Sequence, residues 1–312
     1  MNSGLGAFLD MQLARLPFAV RAEQLLTRDA PLSPPGRRSA NGSCGLLATC
    51  DSWVAVNLAR PEDVELVPAL TGRDGDPWDA LAAAARECTA AELVTRGVEL
   101  QLPVAELGEA KPAALSSGSG EASGLRVLDL SALWAGPLCA GLLARAGARV
   151  TRIENVARPD PTPLSSPRLD RWLNGAKTPL QLDLSTTDDR AKLRGLVAAA
   201  HVVVTNARPR ALAGLGLDDD LLTARPELIW AAVTAHGWTA DRVGFGDDCA
   251  VAGQLVGWEG GAPRFVGDAL ADPLTGLEGA LAVLERIGEG RGGRIDLAMA
   301  RVAAAYCAGA AA

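Results

Sequence analysis

The chain is poor in lysine, histidine and most aromatic residues. Of its 312 residues only two are histidine and one is tyrosine, and lysine occurs only as Lys111, Lys177 and Lys192. Arginine therefore supplies nearly all the positive charge, and the net charge is −7. A protein whose main task is to hold nucleic-acid phosphates carries a basic surface. The charge balance thus excludes nucleic acid as the main partner and leaves room for local basic sites that bind a phosphorylated ligand.

Other patterns are absent as well. No apolar run reaches the roughly 18 residues that a membrane-spanning helix needs, and residues 1–10 lack the basic and then apolar segments of a signal peptide. The six cysteines are scattered without paired CxxC motifs, which argues against a zinc site or a disulfide framework. We therefore expect a cytoplasmic protein with reduced cysteines, no metal and no membrane partner.

One segment has the composition of a linker. Residues 112–124 read PAALSSGSGEASG, which is rich in Gly, Ser and Ala and has no apolar period. The segment predicts a division into residues 1–111, with an N-terminal helix and a small α+β domain, and residues 125–312. In the first part, the apolar run Trp53 to Leu58 predicts a strand, and Thr89 with Glu92 forms a capping-box pattern at a helix start.

The second part alternates strand and helix patterns. Strands are predicted at residues 126–130, 149–153, 181–184, 201–205 and 228–233, with helices at 135–146 and 188–200. This order predicts an α/β fold, a Rossmann-like doubly wound parallel sheet beside the smaller α+β domain. The turn after the first strand, Ser131 to Pro137, lacks the G-x-G-x-x-G fingerprint, which argues against an NAD-dependent dehydrogenase.

Five segments of residues 124–300 carry motifs in a familiar order. They are GLRVLDLSALWAGPLCAGLLARAGARVTRIE (124–154), LNGAK with LDL (173–184), VVTNARP followed by LGL (203–217), GDALADPLTG (267–276) and GGRIDL (292–297). In this order they resemble the family III CoA-transferases, which include formyl-CoA transferase, carnitine CoA-transferase and α-methylacyl-CoA racemase. Residues 42–56 and 78–107 resemble the small domain of the same family, which here precedes the large-domain segment.

The resemblance implies a function. It implies a CoA-transferase that moves CoA between an acyl-CoA thioester and a carboxylic acid through an aspartyl anhydride and thioester, and a homodimer. Coenzyme A, as free CoA or acyl-CoA, is then a substrate, and the other partner is a small carboxylic acid. Two alternatives remain: an acyl-CoA racemase, isomerase or hydrolase on the same scaffold, or, given the altered domain order, a non-catalytic CoA-ester-binding protein.

Asp272 matches the aspartate that attacks the thioester in this family. The surrounding glycines and small residues suit the close approach of a large thioester. A purely structural alternative is that Asp272 caps a helix that begins near Pro273. Asp247 and Asp248 match the segment in which family racemases carry a His-Asp pair, and two adjacent acids raise one pKa by repulsion. Their structural alternative is a solvated turn or a helix cap.

The resemblance also implies a CoA site. Positions that contact the nucleotide in the family match Asn174, Lys177, Asn206 and Ala207, and Arg158 is a candidate phosphate partner. The positions beside the thioester match Leu133 and Trp134, where the indole narrows the acyl pocket. The two histidines, His201 and His236, are interpreted as mainly structural, with His236 in a turn that also suits the lining of a pocket.

Overall fold

A large parallel sheet and a small antiparallel sheet organise the protein. A computed structural model describes residues 3–118 and 120–311. The helices are α1 (Ser3–Leu13), α2 (Ala22–Leu26), α3 (Pro61–Glu65), α4 (Val67–Thr71), α5 (Pro77–Ala85), α6 (Ala90–Glu99), α7 (Ala135–Arg145), α8 (Thr162–Ser165), α9 (Pro167–Asn174), α10 (Thr187–Ala199), α11 (Pro209–Ala213), α12 (Asp219–Ala224), α13 (Gly246–Ala252), α14 (Ala271–Gly288) and α15 (Met299–Ala311). The strands are β1 (Cys44–Ala48), β2 (Trp53–Asn57), β3 (Val104–Glu106), β4 (Arg126–Asp129), β5 (Arg149–Asn155), β6 (Thr178–Leu182), β7 (Val202–Thr205), β8 (Ile229–Thr234), β9 (Gly257–Glu259), β10 (Ala262–Arg264) and β11 (Gly293–Ala298).

The large sheet is parallel, as the sequence predicts. Its six strands lie in the order β11-β8-β7-β4-β5-β6, and Arg126 pairs with Arg149 in parallel register. β6 begins at Thr178, three residues before the predicted strand, because it pairs with β5 from Thr151 onward. Strand β4 lies at the centre, so the turn that follows it opens at the carboxyl edge of the sheet, where open α/β proteins bind ligands.

Helices cover both faces of this sheet. Alternate residues of each strand enter two separate cores: Val127 and Val204 contribute to one, and Leu128 and Val203 to the other. The first core packs against α7, α14 and α15, and the second against α10 and α11. The doubly wound arrangement is therefore confirmed. None of the helices in the described residues is both long and apolar enough to cross a lipid bilayer.

The N-terminal helix lies elsewhere than the sequence suggests. The expected division at residue 111 groups α1 with the small domain, but Leu5, Leu9 and Leu13 are buried in the core of the large domain. Phe8 meets Tyr306 of α15 edge to face, with ring centroids 5.4 Å apart. Burial of this leucine stripe against α15 stabilises the contact, so α1 belongs to the large core.

The Gly/Ser segment is docked rather than free. Ser116 donates its backbone N–H to Glu278 at 2.6 Å, and the Ser117 hydroxyl donates to Glu285 at 2.7 Å. Both acceptors lie on α14. A Cβ at Gly120 would overlap the carbonyl of Leu284, so the backbone lies directly on the helix. The segment therefore acts as a packed connection between the two sheets.

The small domain is a three-stranded antiparallel sheet with four short helices. β2 lies between β1 and β3, and its Val54 and Val56 enter a core of their own. Thr89 and Glu92 form the predicted capping box at the start of α6. The other face of the sheet packs Ala55 and Leu46 against Val251 of α13, which brings the small domain onto the carboxyl edge of the large sheet.

Candidate functional site

Asp272 lies in the first turn of the long helix α14. The helix begins at Ala271, and Leu270 occupies the cap position without a side-chain cap bond. The interpretation of Asp272 as an N-cap is therefore wrong, because the helix begins one residue earlier. No hydrogen bond to the Asp272 carboxyl occurs within residues 3–118 and 120–311, and the residue is partly exposed. This leaves its oxygens free to meet a ligand.

Two other carboxylates fix the loop before Asp272. Ala269 has a left-handed backbone (φ +45°), and its N–H donates to Asp247 Oδ1 at 2.8 Å. Asp268 accepts two bonds from the Arg28 guanidinium, at 2.5 and 2.6 Å. A left-handed conformation is costly for alanine and persists only where neighbouring contacts hold it. Asp247 and Arg28 therefore set the position of Asp272.

Glycine at position 246 gives the Asp272 carboxyl its space. Gly246 begins α13, and a Cβ there would overlap Asp272 Oδ2 and the carbonyl oxygen of Ala269. Any other residue would push the carboxyl out of this position. Gly246 was not predicted from the sequence, because nothing in the local pattern shows that α13 and α14 meet at this point.

Asp247 and Asp248 are buried, with 2% and 0% of their surfaces exposed. Asp247 Oδ2 accepts from the Asn41 side chain at 3.0 Å, and Asp248 Oδ1 accepts from the Asn57 side chain at 2.9 Å. Both asparagines precede or belong to the small sheet. The alternative of a solvated turn is wrong for this pair, whose carboxylates join the small domain to the large one.

Dense packing around the three carboxyl groups raises their pKa values, although part of the Asp272 surface stays exposed. The pKa of Asp272 rises to about 7, mainly from burial and then from the charge of Asp247, while Arg28 opposes the rise. The pKa of Asp248 also rises to about 7, and that of Asp247 to about 6, in both cases chiefly through burial. Near neutral pH the cluster thus holds both protonated and ionised carboxyl groups.

Trp134 lies beside Arg28, which belongs to the same cluster, and Leu133 precedes it in the turn after β4. Trp134 is buried, and the Arg28 guanidinium lies 5.6 Å from the centre of its ring. Leu133 has a left-handed backbone (φ +70°) and an exposed side chain at the carboxyl edge of the sheet. The sequence analysis missed Arg28, which comes from the Pro- and Arg-rich stretch before the small domain.

Asn174 and Lys177 lie in the interior. The Lys177 ammonium donates to Asp129 at 2.7 Å, to the Pro137 carbonyl at 2.8 Å and to Asn174 at 2.7 Å. Its side chain is 1% exposed, so all three donors are used inside the protein. This geometry gives Lys177 a structural role and does not support the direct CoA contact that the resemblance implies.

Three arginines, Arg158, Arg208 and Arg210, form a basic group near the other expected CoA contacts. Asn206 forms two bonds with the backbone of Ala132 and so fixes the turn after β4, while Ala207 and Arg158 are exposed. Arg208 follows directly and contacts Gln101 of the small domain. Burial lowers the pKa of Arg208, as do the positive charges of Arg210, Arg60 and Arg158. Arg208 falls within the VVTNARP motif, which is the signal that would have identified it.

The two histidines differ. His201 accepts the Arg126 backbone N–H through Nδ1 at 3.0 Å, which confirms a structural role. His236 follows β8 beside Asp248 and Cys249. Burial, and then the charge of Arg242, lowers its pKa to about 3, so the imidazole is neutral.

Known proteins share most of this architecture. The profile described as "CoA-transferase family III" matches residues 122–312. A succinate–glutarate CoA-transferase of Agrobacterium fabrum is 31% identical over 210 residues, which are 60% of this chain and 52% of that protein. The β subunit of a succinyl-CoA–L-malate CoA-transferase of Chloroflexus aurantiacus is 34% identical over 196 residues, 57% of this chain and 48% of that protein.

Solved structures give the same result. A CAIB/BAIF family protein of Brucella suis superposes with a TM-score of 0.54 at 28% identity, covering 60% of this chain and 55% of that one. A hypothetical protein of Mycobacterium tuberculosis superposes with a TM-score of 0.55 at 30% identity, covering 60% and 56%. The chain spans about half the length of the curated relatives that it matches. Since the family profile covers more than half of its residues, the chain belongs to CoA-transferase family III.

Proposed function

We propose that the protein transfers CoA between an acyl-CoA thioester and a carboxylic acid, with Asp272 as the nucleophile. The observation that carries the proposal is the Asp272 carboxyl itself. It is partly exposed, bound to no donor in the described residues and held at the carboxyl edge of the sheet by a strained loop. A structural carboxylate in such a place would be paired. A nucleophile must instead keep its oxygen free for the incoming carbonyl.

The steps balance without a metal or a redox partner. Ionised Asp272 attacks the thioester carbonyl, the C–O bond forms as the C–S bond breaks, and CoA leaves as the thiolate. The thiolate attacks the aspartyl carbonyl of the mixed anhydride and releases the donor acid. The acceptor carboxylate then attacks the aspartyl thioester, which forms a second mixed anhydride and releases the CoA thiolate. The thiolate attacks the acceptor carbonyl of this anhydride, so that the acceptor acyl-CoA forms and the Asp272 carboxylate leaves. Asp272 is restored, and each difficult exchange becomes two easier ones.

Neighbouring residues support this chemistry. Asp272 lies in the first turn of an 18-residue helix, where the N-terminal end of the helix dipole favours its ionised form. Asp247 and Arg28 position the loop, and glycine at 246 leaves space on the side of α13. The raised pKa makes the carboxylate a better nucleophile than an ordinary aspartate while leaving a large ionised fraction at neutral pH.

The basic group offers a place for the phosphates of CoA. Arg208, Arg210 and Arg158 bring positive charge together near the carboxyl edge of the sheet, and a guanidinium group pairs well with phosphate oxygens. Asn206, Ala207 and Leu133 lie on the same edge. We place the nucleotide part of CoA there and the thioester toward Trp134 and Asp272. The relatives named above act on succinyl and glutaryl groups, which makes dicarboxylic acyl-CoA esters the first donors to test.

Replacing Asp272 with asparagine tests the proposal. The substitution keeps the shape of the side chain but gives a very poor nucleophile, so CoA exchange should fall by several orders of magnitude. Mass spectrometry of the intact wild-type protein mixed with a panel of acyl-CoAs should show a covalent adduct that the variant lacks. CoA affinity should stay close to that of the wild type, and so should the melting temperature at pH 5, where the Asp272 carboxyl is protonated.

Asp220→Asn is the matched control, because Asp220 is exposed on α12; it should exchange CoA like the wild type. An active Asp272→Asn variant would refute the assignment of the nucleophile. A wild type that binds CoA but forms no adduct and exchanges no donor would instead favour a CoA-ester-binding protein.

A further inference from the structure

A second group of side chains lies where the small domain meets the end of β8. A ring nitrogen of His236, a carboxylate oxygen of Asp248 and the Cys249 sulfur all lie within 4.8 Å of one another. We infer that these three residues form a binding site for a divalent metal ion of the zinc type. The inference is independent of the proposed transferase activity and assigns the metal no step in it.

His236 has a free nitrogen inside the protein. Its side chain is only 6% exposed, and Nε2 is buried without a hydrogen-bond partner. An unpaired buried nitrogen of this kind costs free energy unless something binds it. Nδ1 lies 3.8 Å from Glu109 Oε1. A histidine that binds a metal through one nitrogen usually turns the other toward a carboxylate, and Glu109 is placed for that role.

In Asp248, as in His236, one side-chain atom contacts the surrounding protein and the other faces the proposed metal site. Oδ1 accepts hydrogen bonds from the Asn57 side chain and the Phe245 backbone N–H, each at 2.9 Å. Among the described residues, the hydrogen-bond partner of Oδ2 is the Cys249 sulfur, at 3.9 Å. The carboxyl group is therefore oriented by its neighbours and presents one oxygen toward the sulfur. Both ligands thus have their supporting contacts in place.

The ligand chemistry selects the metal. One imidazole nitrogen, one carboxylate oxygen and one thiolate sulfur form a donor set that suits Zn²⁺ or Co²⁺ and not Mg²⁺ or Ca²⁺. A carboxylate and a thiolate together also balance the two positive charges, so the occupied site is neutral in a buried setting. The three ligand atoms must move closer together to reach bond lengths of about 2.0–2.3 Å, which leaves a fourth coordination position for water.

An occupied site would fasten the two domains. Glu109 and Asn57 come from the small domain, whereas His236, Asp248 and Cys249 belong to the large one. Metal binding would hold the end of β8 to α13 and strengthen the contacts that both make with the small domain. A metal that binds only the folded chain raises the stability of that chain.

Cobalt titration of the wild-type protein tests the inference. After treatment with a chelator and its removal, Co²⁺ should bind at about one ion per chain. It should produce a near-ultraviolet thiolate-to-cobalt band and the visible bands of a four-coordinate ion, and Zn²⁺ should abolish both. Cys249→Ser should lose the thiolate band, and His236→Gln should weaken binding strongly. Cys307→Ser, which removes a thiol on α15 bonded to the Gln254 carbonyl, should bind like the wild type.

Glu109→Gln tests the site without replacing a buried ligand, so a loss of metal binding in this variant is not explained by misfolding of the ligand variants. Glu109 is partly exposed, and a glutamine at this position can still accept a hydrogen bond from Arg242, so the variant should fold normally. Loss of the carboxylate beside His236 should weaken Co²⁺ binding about 10- to 100-fold. No thiolate band in the folded wild type would overturn the site. An equal band in wild type and Cys249→Ser would overturn it as well, as would loss of the band in Cys307→Ser.

Discussion

At the scale of single residues, Lys177 has the most completely defined environment. Its ammonium group forms an ion pair with the fully buried Asp129, at the centre of the parallel sheet. Burial lowers its pKa, and the charge of Asp129 opposes that change. Removing one member of such a pair leaves the other as an unpaired buried charge, which costs far more than the pair contributes.

Lys177→Met should therefore lower the free energy of unfolding by about 3–5 kcal/mol, measured by urea denaturation. Lys192→Met, on the exposed face of α10, should change it by less than about 0.5 kcal/mol. Adding Asp129→Asn to Lys177→Met should restore part of the loss, because the stranded charge is then gone. Equal stability of Lys177→Met and the wild type would contradict the structural role.

Asp272 contributes to the pH dependence of the free energy of unfolding. The pKa of its carboxyl is about 7 in the folded chain, against about 3.9 for an unfolded aspartate. The folded state holds the proton more tightly, so this group stabilises the fold fully below pH 4. The contribution is lost as the pH rises to 7. Asp247, Asp248, Asp268 and Arg28 are the charged groups that act on it.

Asp272→Asn removes this dependence. Between pH 5 and pH 8 the variant should lose less stability than the wild type, by on the order of 1–2 kcal/mol in urea denaturation. Asp247 and Asp248 titrate in both proteins, and because their charges interact with Asp272 the difference between the two curves includes the loss of that interaction. If the wild type and the variant show parallel stability curves over this range, the carboxyl of Asp272 titrates at an ordinary pH.

Some residues of the site could be predicted from the sequence and others could not. Asp272 and the acidic pair Asp247 and Asp248 were found from local motifs. Arg28 was not, because its partner Asp268 lies 240 positions away along the chain. Gly246 was missed for a related reason: its importance comes from the meeting of two helices, which a local pattern does not report. Lys177 matched a ligand-contact position, but only packing shows that its charge is already neutralised.

At the scale of elements, the contact between α7 and α14 holds Asp272 near the turn after β4. Gly276 of α14 lies directly on α7, and a Cβ there would come within 2.7 Å of Leu138 Cβ and 2.8 Å of the Ala135 carbonyl oxygen. Close approach of the two helices therefore depends on a glycine one turn after Asp272. The strand and helix patterns predicted both elements, but not their distance.

Gly276→Val should separate these helices and destabilise the fold by about 1–3 kcal/mol or more. Gly195→Ala is the control, since a Cβ at Gly195 of α10 meets nothing within 4 Å. Alanine in an exposed helix interior should instead stabilise the protein by about 0.5–1 kcal/mol. Thermal unfolding of both variants tests this prediction. An unchanged melting temperature in Gly276→Val would mean that α7 and α14 are far enough apart to accept the larger side chain.

At the scale of the whole molecule, the connection between the two sheets is part of the structure. Composition predicted a linker at residues 112–124, and composition does not reveal which helix a linker packs against. The described part of the segment bonds to Glu278 and Glu285 of α14. The N-terminal helix likewise packs into the large core, so residues far apart in sequence share one interior.

The folded protein should therefore resist subtilisin at this segment. Glu278→Ala with Glu285→Ala removes the acceptors of Ser116 and Ser117, and cleavage between residues 112 and 124 should become at least several-fold faster. Glu289→Ala is the control, because within the described residues the ion pair of Glu289 is with the exposed Arg291 and involves no residue of the segment. Rapid cleavage of the wild type at this segment would show that the docking is not maintained in solution.

The burial of Lys177 also determines which lysines an amine-reactive reagent can reach in the folded protein. Lys111 and Lys192 are exposed, whereas the Lys177 amine is enclosed by its three acceptors. An acylating reagent applied to the native chain should label the first two lysines and spare the third until the sheet opens. The rate at which Lys177 is labelled therefore reports the rate at which the central sheet opens. Mass spectrometry of the single peptide that contains Lys177 measures it.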